Sequence, residues 1–125
     1  DLAVSPEFGS LVTEFLDSGK VVSAVCHAPA ALLAATRDDG SWPFAGYELT
    51  GFTNTEEEQA GLADKAPWLL QDRLTQAGFK VTLAEPWTVH IETDGNLLTG
   101  QNPASSESLA RTLLDRLENV PQGSK

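Results

Sequence analysis

The stretch Val21-Val22-Ser23-Ala24-Val25-Cys26-His27-Ala28-Pro29 decides how this sequence is read. Its first five residues are apolar on both faces and rich in β-branched side chains, as in a strand buried inside a parallel sheet with helices on either side. Cys26-His27-Ala28 turns the chain at once, and Pro29 stands at a first helical position ahead of Ala30-Ala31-Leu32-Leu33-Ala34-Ala35. Strand, turn and helix without a spacer have the form of a nucleophile elbow. Small residues two before and two after the cysteine, here Ala24 and Ala28, let the backbone bend sharply. That geometry aims the sulfur over the N-terminus of the next helix, where N–H groups and the helix dipole favour thiolate and can hold a developing oxyanion. His27 has the chemistry of a proton acceptor and donor. A lone cysteine at the end of an apolar strand is also a small buried hydrophobe, and His27 an ordinary capping residue. On this pattern alone the two readings stand level.

Upstream, Ser5, Pro6 and Glu7 read as an N-cap, a first-turn proline and a first-turn acid, and Phe8, Leu11, Val12, Phe15 and Leu16 recur at helical spacing until Gly19. Downstream, residues 37–46 are a surface connection and 47–50 a short strand. Thr53 and Asn54 before Glu56, Glu57 and Glu58 read as caps and an acidic first turn. A second helix is expected over residues 67–77, with Trp68, Leu69, Leu70 and Leu74 as its stripe and Gly78 closing it. Strands are expected at 80–83, 89–92 and 97–99, the last two joined through Asp94-Gly95. The final helix, residues 106–117, carries Leu109, Leu113, Leu114 and Leu117 on one face. Gly51 and Gly100 are assigned to tight turns, and Trp42, Trp68 and Trp87, each beside a proline, to loop edges. Alternating elements predict one layered α/β domain over residues 1–120, with 121–125 as a tail. Only residues 21–25 read as a central strand, and such a strand needs a neighbour on each edge, so the sheet is expected to be incomplete.

The chain has 125 residues, one domain's worth, and its eight basic against eighteen acidic side chains leave a net charge of −10. No basic stripe can neutralise a phosphate backbone, so nucleic acid is not expected as a partner. The longest apolar run, residues 29–35, is far short of the roughly 20 residues a membrane span requires. One cysteine forms no internal disulfide and no leader pattern opens the chain, which predicts a soluble protein of a reducing cytoplasm. No His, Cys and Asp cluster has metal-ligand spacing, so no metal is expected. His90 lies in a strand-like stretch too far along the chain to be assigned to Cys26 by spacing.

Three segments in order, Ala24-Val25-Cys26-His27-Ala28-Pro29-Ala30-Ala31-Leu32, Leu49-Thr50-Gly51-Phe52-Thr53-Asn54 and Leu98-Thr99-Gly100-Gln101-Asn102-Pro103-Ala104-Ser105, resemble the ThiJ/PfpI family within the class I glutamine amidotransferase-like fold. More narrowly they are similar to its heat-shock chaperone and glutathione-independent glyoxalase (glyoxalase III) branch. The resemblance implies a three-layer αβα sandwich around a mainly parallel, flavodoxin-like sheet. It implies Cys26 as nucleophile, His27 as the neighbouring base, and a carboxylate after the Thr-Gly-Phe-Thr segment that orients the imidazole. Glu57 stands at the matching position. Because Thr53-x-x-Glu56 and Asn54-x-x-Glu57 both have capping-box spacing, either acid fits a cap; we assign Glu57 to His27, Glu56 to the cap and Glu58 to solvent.

The activity so implied is conversion of a small 2-oxoaldehyde, methylglyoxal to lactate, with no added cofactor and as part of a stress response. A holding chaperone, or a peptide or amide hydrolase using the same group, are the alternatives, and a homodimer is expected. Family members carry, before the region matched here, the first strands of the sheet, an acid that hydrogen-bonds the sulfur and a Gly-rich oxyanion turn. Together with the absence of methionine and the abrupt helical start, this predicts that the chain is the C-terminal portion of a larger domain.

Overall fold

The computed structural model describes residues 4–35 and 43–118. In chain order they form α1 (Pro6–Asp17), β1 (Val22–Val25), a 3-10 turn (Ala28–Ala34), β2 (Glu48–Leu49), α2 (Asn54–Gln59), α3 (Leu70–Ala77), β3 (Lys80–Val81), β4 (Ile91–Asp94), β5 (Leu97–Gly100), a second 3-10 turn (Pro103–Ser105) and α4 (Ser106–Glu118).

The sheet around the elbow has the order β1-β5-β4. β1 runs parallel to β5, from Val22 opposite Leu97 to Val25 opposite Gly100, while β4 runs antiparallel to β5. β2 and β3 form a second parallel pair. Side chains stitch the two together: Asp94 Oδ2 accepts from Glu48 N–H at 2.8 Å, and Thr99 Oγ1 from Thr50 N–H at 3.0 Å. Every residue of β5 is buried. Successive side chains of a strand point to opposite faces, so both faces of β5 are covered. Leu97 joins a core with Val12 of α1, Leu32, Leu49, Phe52 and Leu74, while Gly100 lies against Leu109 of α4. Helix, sheet and helix thus make the expected α/β sandwich around a mainly parallel sheet.

Several local expectations are corrected. β1 has one hydrogen-bonded neighbour among the described residues, as an incomplete sheet requires, but its Ser23 is exposed, and the strand covered on both faces here is β5. The α-helix expected after the elbow is a 3-10 turn. Pro29 has no N–H to donate, and its neighbours bond three residues back, Ala30 N–H to His27 O and Ala35 N–H to Leu32 O. α1 crosses this turn at Gly9, where a Cβ would stand 1.9 Å from the Ala34 carbonyl oxygen. β4 and β5 join through Gly95-Asn96, one residue later than expected, because Asp94 still pairs with Leu97 and Gly95 takes φ 57.

α3 begins only at Leu70, since Leu69 is extended, and Trp68 is left partly exposed. β3 ends at Val81 instead of 83, and β4 begins at Ile91 instead of 89 because the backbone of His90 bonds Gln101 and Ser105. On α4 Leu109 is buried but Leu114 and Leu117 are exposed, and within the expected surface connection Phe44 is fully buried. Its ring meets those of Tyr47 and Phe79. Residues 37–42 with Trp42, and the tail 121–125, lie outside the described residues.

Candidate active site

β1 leads directly into Cys26, whose N–H donates to Gly100 O at 3.0 Å and whose carbonyl accepts from Phe52 N–H at 2.9 Å. Between those bonds the cysteine takes φ 62. A non-glycine residue in this left-handed region costs roughly 1–2 kcal/mol, so the neighbours must impose it. Two glycines allow them close enough. A Cβ on Gly51 would stand 3.3 Å from Cys26 O, and one on Gly100 3.1 Å from Val25 Cγ2. Neither has positive φ, so close approach rather than the expected turn explains both glycines.

Cys26 Sγ lies 3.4 Å from His27 Nδ1, and on the far side of the ring His27 Nε2 meets Glu57 Oε1. A carboxylate accepts, so Nε2 carries a hydrogen, and in the tautomer with its single hydrogen there Nδ1 is the acceptor facing the thiol. Glu57 is 3% exposed, while the His27 side chain is about half exposed at 49%. Phe52 supports the imidazole face with ring centroids 4.5 Å apart, and Trp87 packs edge-on against Phe52 at 5.4 Å. Burial pushes the Cys26 thiol up; the His27 N–H opposes this, and the charges of Glu56 and Glu57 add to it. The net direction is upward, because burial and the two carboxylate charges outweigh the His27 N–H; the turn that follows the sulfur is 3-10 where an α-helix was expected.

Glu56 is fully buried and closes a capping box with Thr53. Its Oε1 accepts from Thr53 N–H at 3.0 Å and Thr53 Oγ1–H at 3.1 Å, and its Oε2 from Trp87 N–H at 2.9 Å and Asn102 Nδ2 at 2.7 Å. Burial alone raises this carboxyl, but the N–H groups of Trp87 and Thr53 and the amides of Asn102 and Gln101 outweigh it and hold it below the usual range. Glu58 is exposed. Phe52, Trp87 and Asn102 join this site beyond the residues expected from the sequence, where Phe52 and Asn102 stand out only as members of the second and third motifs. His90 is placed elsewhere, with Nε2 3.0 Å from Thr82 Oγ1, which in turn donates to Glu92 at 2.8 Å.

Beside His27 and Glu57 a largely apolar cavity of ≈ 350 Å³ is lined by Leu62, Lys65, Trp68 and Leu70. Among the described residues no three His, Cys, Asp or Glu side chains are grouped to hold a metal ion, and no helix is long and apolar enough to cross a membrane.

The DJ-1/PfpI family matches residues 1–116. This chain belongs to that family. It is 35% identical over 114 residues to the human glutamine amidotransferase-like class 1 domain-containing protein 1, covering 91% of this chain and 52% of the relative. It is 32% identical over 112 residues to the Staphylococcus aureus protein/nucleic acid deglycase HchA, covering 86% of this chain and 38% of that one. The crystal structure of glyoxalase III from Candida albicans superposes with a TM-score of 0.80 at 29% identity, over 92% of this chain and 51% of that one. The chain therefore spans about half the length, or less, of these DJ-1/PfpI relatives.

Proposed function

We propose that this DJ-1/PfpI chain carries the reacting group of an enzyme that removes small reactive carbonyl compounds, with Cys26 as nucleophile, His27 as base and Glu57 as the acid that orients the imidazole. The observation that supports this reading best is the line from Cys26 Sγ through both His27 nitrogens to Glu57, beginning at a cysteine in left-handed backbone. A thiol pushed up by burial is protonated near neutral pH, so it needs a base in contact at the moment of attack. His27 Nδ1 occupies that place.

For a 2-oxoaldehyde such as methylglyoxal the steps balance without an added cofactor. Sγ bonds to the aldehyde carbon as its proton passes to Nδ1, and the carbonyl oxygen takes up a proton to give a hemithioacetal. The hydrogen on that carbon then leaves as a proton and another is delivered to the adjacent carbon through an enediol. This leaves a thioester of the 2-hydroxy acid. Water cleaves the carbon–sulfur bond, releasing lactate and the thiol. The deglycase named among the relatives supports a second, coarser reading, in which the same group acts on carbonyl adducts of amines. That name includes nucleic acid. A net charge of −10 disfavours tight binding to a phosphate backbone, so a nucleic-acid substrate would be engaged at the modified base itself.

The test is lactate formation from methylglyoxal by the full-length protein, wild type beside Cys26→Ala. Lactate from the wild type alone supports the reading. Equal rates from both remove Cys26 from the chemistry.

A further inference from the structure

We propose that Glu56, which touches neither Cys26 nor His27 in this structure, is a positioning residue that fixes the His27 imidazole along two routes at once. The first runs through Oε1. By accepting from both the N–H and the hydroxyl of Thr53, it closes the first turn of α2, and that turn delivers the next residue, Glu57, to His27 Nε2. The second runs through Oε2. By accepting from Trp87 N–H it holds Trp87 edge-on against Phe52, and Phe52 lies on the face of the His27 ring. One carboxylate thereby sets both the edge and the face of the base.

Two further observations point the same way. Among the described residues, non-glycine left-handed backbone occurs at Cys26 (φ 62) and at Trp87 (φ 63), the two ends of this line of contacts. Such conformations persist only where surrounding bonds over-determine them, and at Trp87 the bond from its own N–H ends on Glu56. Asn102 braces the same loop by donating to Glu56 Oε2 at 2.7 Å and to Thr88 O at 2.8 Å. A helix cap alone needs only Oε1. The full burial of Oε2 on a distant loop is what a cap does not explain, and the ring stack from Trp87 to His27 does.

The catalytic meaning of this proposal rests on His27 being the base for Cys26, but its test does not. Side-chain ¹⁵N–¹H spectra of the full-length protein, with the His27 signals assigned by their loss in a His27→Gln reference, resolve the ring nitrogens of His27. Glu56→Gln keeps the shape but replaces one of the two acceptor oxygens with an NH2 donor, so the bonds on one of the two routes are lost. In the folded variant the single Nε2–H form of His27 is expected to give way to mixed tautomers, matching a Glu57→Ala reference, and kcat on methylglyoxal to fall roughly tenfold with KM within about twofold. A folded Glu56→Gln protein with the wild-type His27 pattern overturns the proposal, whatever its melting temperature. If Glu56→Gln does not fold, the isosteric Thr53→Val, which removes one donor to Oε1, decides instead: a shift part-way to the Glu57→Ala pattern supports the proposal and an unshifted ring overturns it. Absence of turnover in the wild type would remove the proposed function while leaving the spectra to judge Glu56.

Discussion

Cys26 and His27 stand at the end of β1, which has one hydrogen-bonded neighbour among the described residues, and His27 is exposed. Across from them Thr50, Gly51, Phe52, Thr53, Glu56 and Glu57 are all buried, and Glu56 alone gathers donors from its own turn, the Trp87 loop and Asn102. The thiol turn is strained and held in place by backbone bonds to Gly100 and Phe52; the acid turn is relaxed into a capping box and bonded from several elements by side chains. Geometric precision therefore resides on the acid side. An imidazole pressed by Phe52 and bonded by Glu57 takes its geometry from the acid side, and the thiol is brought up to it by a strand edge.

Breaking the thiol side through its support has the largest expected effect on stability. Gly9→Ala drives a Cβ into the Ala34 carbonyl, 1.9 Å away, beside the turn that follows Cys26. Backbone cannot give as a side-chain end can, and a loss of about 3 kcal/mol is expected, read as a lowered denaturation midpoint. Breaking the acid side at its tip separates function from stability. Glu57→Gln is expected to lower kcat by roughly 10²-fold while the melting temperature barely moves, because shape and burial are kept. Should it unfold the protein instead, Glu57 would be a structural acid with no separate part in the chemistry.

The acid side also has a pH signature. Glu56 is held below its unfolded value, so its contribution to stability is fully present above the ordinary glutamate range, about pH 4.3, and is lost as pH falls through the lower folded value. Acid titration of unfolding is expected to show a shallower acid limb in Glu56→Gln than in wild type. On the thiol side the sign is opposite. Burial raises Cys26, so the pH profile of its alkylation is expected to have its midpoint above that of a free thiol. The smallest expected effect sharpens the contrast in strain: Cys26→Gly relieves the left-handed backbone, gaining roughly 1 kcal/mol of stability in chemical denaturation while abolishing turnover. A loss of stability there would mean that the turn is not strained.

What was legible in the sequence was local. The Ser5 cap, the small residues around Cys26 and the Thr53-x-x-Glu56 spacing are fixed within a few residues, and each specifies backbone that the structure contains. Which acid meets His27 was not decided by spacing, since both glutamates fit a box; the contact spans 30 residues and depends on how β1 and α2 dock. The second partners of Glu56, 31 and 46 residues away, were invisible for the same reason. Leu97-Leu98-Thr99-Gly100 looks like any hairpin strand, and only its position between β1 and β4 makes it the doubly buried one. Apolar residues at 114 and 117 kept a helical period without being covered, because period reports a face and not what lies against it.

The proposed chemistry requires a bond between Cys26 and substrate carbon. Full-length protein turning over methylglyoxal, quenched in acid and mapped by peptide mass spectrometry, is expected to carry one methylglyoxal increment on the peptide containing Cys26, with the increment accumulating in Glu57→Gln as its breakdown slows. Undiminished lactate formation with no increment on that peptide, and the same rate in Cys26→Ala, would contradict it.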